Sequence, residues 1–187
     1  MEAESRPLHG YIIVAVCFLM FFCIMGTITS FGLFFNPIMK DMGWTRTAIS
    51  GAFSLNSLIS GIFGMVAGAL NDRLGPRIVI PLMGAVAAAG YFLVSQADFM
   101  WQFYLFFGFI AGAGSNIYVP AMSTVARWFD EKRSLMSGIA FSGAGLGGIT
   151  FPILINFLIT NYSWRLCLIV ISIIIFIISV IALVFLK

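Results

Sequence analysis

Charge is what this sequence has least of. Its 187 residues include 10 Lys or Arg and 7 Asp or Glu, together 9% of the chain. A soluble domain uses roughly a quarter charged residues to cover itself. Here 61% of residues are apolar and the mean hydropathy is +1.06, so the apolar excess has to face lipid. Histidine occurs once, as His9, and reads as an interfacial residue ahead of the first apolar run. Cysteine occurs three times (Cys17, Cys23, Cys167), each time inside an apolar run and without metal-ligand spacing. These read as small apolar fillers, and no metal or cofactor is expected. Carboxylates are missing from the interior of every run, and there is no phosphate loop or nucleophile–histidine set. Enzyme chemistry, which needs ionisable groups in a pocket, is therefore not expected. The basic residues do not gather on one face, which argues against a nucleic-acid partner.

What the chain does have is length without charge. Charge-free stretches cover residues 11–39, 47–71, 78–97, 99–126, 134–164 and 166–186. About 20 apolar residues suffice to cross the hydrocarbon of a bilayer. The expected architecture is an all-α membrane protein with a short segment 1–10 followed by a six-helix bundle over 11–187. Its spans fall at about 11–36, 46–70, 78–97, 99–124, 134–160 and 165–186. The first run far exceeds the core of a cleavable signal and is expected to persist as a span. Thr45 and Asp98 are candidate helix N-caps, and Gly75-Pro76 marks the turn into span three.

Lys/Arg bias predicts the orientation. With the amino terminus inside, Arg6, Arg73, Arg77, Arg127, Lys132, Arg133 and Lys187 face the cytoplasm, against Lys40, Arg46 and Arg165 outside. Seven against three places both termini in the cytoplasm of a plasma or inner membrane. Trp44, Trp101, Trp128 and Trp164 lie near span ends, as an interfacial belt requires.

Small residues run along span two (Ser50, Ser54, Ser57, Gly61, Gly64, Gly68) and recur in spans four and five, whereas span six has no glycine. Such stripes let helices approach closely, so spans two, four and five are expected in the interior and span six at the lipid edge. Asn36-Pro37 is echoed by Val119-Pro120, and the Ser50–Ser54 stretch by Ser137–Ser142. This fits either a 3+3 inverted repeat or a chance similarity between Gly/Ser-rich helices.

The loop after span two reads Gly68-Ala-Leu-Asn-Asp72-Arg73-Leu-Gly75-Pro-Arg77. Gly68 permits close helix contact, Asp72 suits the positive end of a neighbouring helix, and Gly75 makes the tight turn. The spacing resembles the G-x-L-x-D-R-x-G-x-[RK] loop of the major facilitator superfamily. That resemblance implies the amino-terminal six-helix half of a transporter, with Gly68, Asp72, Arg73, Gly75 and Arg77 as a conformational latch toward a second six-helix half. The stretch from Arg127 through Lys132 and Arg133 to Gly143 resembles a segment of monocarboxylate and oxalate/formate transporters, departing at Met136 where the pattern has Ala. So do Ser30-Phe-Gly-Leu-Phe34 and Gly43-Trp-Thr-Arg46. Asp130 or Glu131 is expected either in a solvated loop or paired with Arg73 or Arg77.

Asn116 and Tyr118 in span four offer hydrogen-bond donors for a carboxylate without buried charge, or serve as polar glue between helices. Asn56 and Ser30 are further candidates. The resemblance implies secondary transport of a small organic anion, a mono- or dicarboxylate, by alternating access. Efflux of amphipathic organic compounds, and a non-transporting membrane scaffold or assembly protein, are the other readings.

Overall fold

The computed structural model describes residues 5–129 and 132–186, with side chains from Gly10 onward. Residues 1–4, the His9 side chain, Asp130, Glu131 and Lys187 lie outside the described residues, and with them the expected pairing of Asp130 or Glu131.

Six helices are long and apolar enough to cross a membrane: Gly10–Thr29, Arg46–Leu74, Pro76–Ser95, Met100–Trp128, Arg133–Asn161 and Trp164–Phe185, spans one to six. The first helix begins at Ser5. The apolar run that opens the chain is not one helix. It ends at Thr29, tightens into a 3-10 turn over Phe31–Phe34, and resumes as a short helix, Phe35–Met42. Gly43, with φ of +67°, closes that helix in the left-handed region that glycine adopts without steric cost. Span two starts as expected, with the Thr45 hydroxyl accepting from the Ala48 backbone N–H at 3.3 Å. It stops at Gly75 (φ +80°), and Pro76 opens span three.

Asp98 does not cap span four. Phe99 holds the N-cap position, and the Gln102 side-chain oxygen accepts from the backbone N–H groups of Asp98 and Phe99. The Asp98 carboxylate is instead engaged by Arg165.

Three main pairings follow a symmetric scheme, beside which span three also packs on span four. Span one lies along span five, span two along span four, and span three along span six. Exchanging one with four, two with five and three with six maps this pairing onto itself, as an inverted 3+3 repeat requires.

The burial order corrects the sequence expectation. Span three is the most buried, over 61% of its most apolar stretch, and span one follows. Spans two and five, expected in the interior, are the least buried, at 17% and 28%. The reason lies in how their small residues divide. Gly64 and Gly68 face Asn116 and Val119 of span four, while Ser50, Ser54, Ser57 and Gly61 stay exposed on the outer side. In span five, Gly143 and Gly147 sit against the carbonyl oxygens of Phe18 and Phe22 in span one, whereas Gly138 and Gly145 face open space. Each stripe therefore seats one neighbour inside the chain and leaves a second surface uncovered. Span six turns one apolar face outward, through Ile173, Phe176, Ile177 and Val180.

Candidate functional site

Span four carries the main irregularity of the bundle. It opens as α-helix, widens into a π-helical stretch over Tyr104–Ala111, and returns to α-helix for Gly112–Ser115. It then breaks at Asn116 (φ −94°, ψ +79°) before continuing as Tyr118–Trp128. Widened turns and breaks release backbone groups that need other partners inside a membrane.

Span two supplies several of them. The Asn56 amide donates to the Phe107 carbonyl at 2.7 Å, within the π-helical stretch. At the break, the Asn116 amide donates back to the Ser60 carbonyl at 3.2 Å. Above these, the Tyr104 hydroxyl donates to the Ala48 carbonyl at 2.8 Å. Below them, the Asn71 amide donates to the Ser123 hydroxyl at 3.0 Å. The series ends at an ion pair, Arg127 to Asp72, 2.6 Å apart. Spans two and four are thus laced along their whole length.

The candidate residues separate accordingly. Asn56 is buried and committed to Phe107. Ser30 is buried and donates to the Gly26 carbonyl at 2.6 Å. Asn116 is half-buried, with its amide packed against Gly64. Tyr118 is exposed and leans on Phe21 of span one and Phe141 of span five, with ring centroids 6.1 and 5.6 Å away. The structure therefore gathers Asn56 and Asn116 on the span two–span four seam, Tyr118 on the exposed face beyond the break, and Ser30 where span one ends.

In the latch loop, Gly68 meets Val119, where an added Cβ would lie 2.9 Å from Cγ1. Asp72 pairs with Arg127, Gly75 makes the turn, and Arg73 and Arg77 are exposed. Lys132 and Arg133 are exposed at the start of span five.

The sequence profile that describes the Major Facilitator Superfamily matches residues 17–187. The chain belongs to that superfamily. It is 30% identical over 164 residues to monocarboxylate transporter 13 of Rattus norvegicus, covering 87% of this chain and 38% of that protein. It is 35% identical over 147 residues to the oxalate:formate antiporter of Oxalobacter formigenes, covering 78% of this chain and 34% of that one. Among solved structures it superposes on the POT family transporter PepTSo with a TM-score of 0.74 at 16% identity, over 95% of this chain and 37% of that one. The chain thus spans somewhat over a third of the length of these relatives. Six apolar helices in a major facilitator fold make it an integral, multi-pass membrane protein.

Sequence reasoning passed over Arg165. Its side chain contacts the Asp98 and Asp41 carboxylates and the Ser95 carbonyl at the end of the bundle opposite Asp72. A signal was present, since Arg165 is the one charged residue between positions 134 and 186.

Proposed function

We propose that this chain is one half of a secondary transporter for a small organic anion, a mono- or dicarboxylate, working by alternating access against a second six-helix half. The observation that carries the reading is the exposure of spans two and five. Their Gly- and Ser-rich outer faces are uncovered here, and small residues are what membrane helices present to a close partner. Relatives at 30–35% identity, one a monocarboxylate transporter and one an oxalate:formate antiporter, support the substrate class. In this reading both termini are cytoplasmic, following the Lys/Arg bias, and Asp72, Arg73, Gly75 and Arg77 with Gly68 form the cytoplasmic latch.

Tyr118 is the candidate most open to a ligand, with Asn116 beside it at the break. Asn56 and Ser30 would each have to surrender an internal hydrogen bond to take part. The charged residues of the six spans all lie in a first or last turn, and none lies at mid-span. A transported anion must then meet its counter-charge in the second half, because a buried unpaired charge is too costly. Uptake of labelled oxalate, formate and lactate into proteoliposomes containing both halves tests the assignment. No flux of any of the three overturns it.

A second reading, efflux of an amphipathic organic compound, rests on the apolar and aromatic exposed surface around Tyr118 and Phe141. Export of a hydrophobic dye from the same vesicles, without carboxylate flux, favours it.

A further inference from the structure

At the end of the bundle opposite Asp72, three connections converge on one side chain. Arg165 stands at the start of span six, just after the cap that Ser163 provides by accepting from the Leu166 N–H at 3.1 Å. One terminal guanidinium nitrogen lies 3.0 Å from Asp98 Oδ1, on the connection between spans three and four. The other terminal nitrogen donates to the Ser95 carbonyl at 3.0 Å, where span three ends. Nε lies 3.7 Å from Asp41 Oδ2, on the short helix that extends span one. That same carboxylate oxygen accepts from the Trp164 indole N–H at 3.0 Å. The guanidinium also rests over the Trp164 ring, 4.9 Å from its centroid.

We infer that Arg165 is a clasp that locks the connections one–two, three–four and five–six into a single cap, so that this end of the half shifts as one piece. The chemistry is particular to arginine. Its rigid fork presents separate N–H donors in three directions, whereas a lysine ammonium is one compact point charge. Exposed ion pairs taken singly contribute little, since water screens both members. Here one cation serves three acceptors on two separate segments, and an indole fixes both the cation and one of its partners. Asp41 and Asp98 lie 57 positions apart in the chain, so ordering either connection through Arg165 favours ordering the other.

Backbone hydrogen exchange of the protein in lipid nanodiscs tests this. Arg165→Gln and Arg165→Lys should each raise exchange in residues 35–44 and 95–99 together, by about tenfold, as loss of a charge-assisted hydrogen bond implies. Exchange in residues 70–77 serves as the internal reference and should hold. Adding Asp98→Asn to Arg165→Gln should raise exchange at 95–99 no further, because both remove the same contact. If Arg165→Gln accelerates only the residues around 163–168, or all amides alike, the clasp is wrong. Should that variant fail to fold, Asp41→Asn and Asp98→Asn decide instead. The clasp requires each to loosen both connections, and purely local loosening overturns it.

Discussion

Asp72 and Arg127 stand 55 positions apart in the chain, and their charged groups meet at 2.6 Å. The carboxylate comes from the last turn of span two and the guanidinium from the last turn of span four, so the pair closes the seam that begins with Tyr104 and Ala48. Both side chains are more than half exposed. Such a pair contributes at most about 1 kcal/mol to stability, weak enough for the proposed latch to open and reform.

Asp72→Asn is therefore expected to leave thermal unfolding nearly unchanged while altering transport. If the pair biases one of two access states by about 1 kcal/mol, its loss shifts their ratio up to about fivefold. Flux measured beside the unfolding midpoint separates the two effects. Normal flux in Asp72→Asn, with the Arg127 contact gone, refutes the latch.

Asn56 sets the opposite expectation. Its amide is buried and satisfies the Phe107 carbonyl in the widened turn. Asn56→Leu removes the donor and leaves that carbonyl facing hydrocarbon, at a cost of about 0.6–2 kcal/mol for a hydrogen bond between membrane helices. Lower thermal stability in detergent is the expected result. An unchanged midpoint would mean that the carbonyl finds another partner.

The glycines divide into two testable groups. An added Cβ at Gly147 would collide with the Phe22 carbonyl oxygen, so Gly147→Val must push span one away from span five. Overpacking of this kind costs about 1–3 kcal/mol. At Gly61 nothing lies within reach of a Cβ. Gly61→Val should leave this half as stable as before and weaken only its association with a second half, read by co-purification of the two. Equal loss of stability in both variants would show that the outer face of span two is not an assembly surface.

The six spans were legible because membrane insertion rations charge, and the ration is written directly in the sequence. The Thr45 cap and the Gly75-Pro76 turn were legible because each is set by the residues at the position itself. The placement of spans two and five was not. A stripe of small residues says that something comes close, but not whether that neighbour belongs to the same bundle. Gly64 and Gly61 look alike in sequence, yet one seats Asn116 and the other faces open space. Arg165 was hidden by distance, since its partners are 67 and 124 positions away and nothing local marks them. Asn56 and Asn116 were ambiguous because an amide aimed at a backbone carbonyl and one aimed at a ligand have the same sequence signature. In the structure both amides donate to backbone carbonyls, at the π-helical stretch and beside the break in span four, and neither irregularity is visible in composition.

Tyr118 gives the sharpest test of the candidate site. Its ring packs against Phe21 and Phe141, and a phenylalanine in its place preserves that packing while deleting the hydroxyl. Stability should accordingly stay constant in Tyr118→Phe. If the hydroxyl donates to a carboxylate substrate, its loss weakens binding by about tenfold, the effect of one hydrogen bond to a charged group. That loss appears as a higher half-saturating concentration with the maximal rate kept, since the contact is made to the bound substrate in either access state. Tyr118→Ala adds the loss of ring contact and should also lower stability, so the two variants together separate recognition from packing. Unchanged half-saturation in Tyr118→Phe would return this residue to a packing role and move the search for the carboxylate site to the second half.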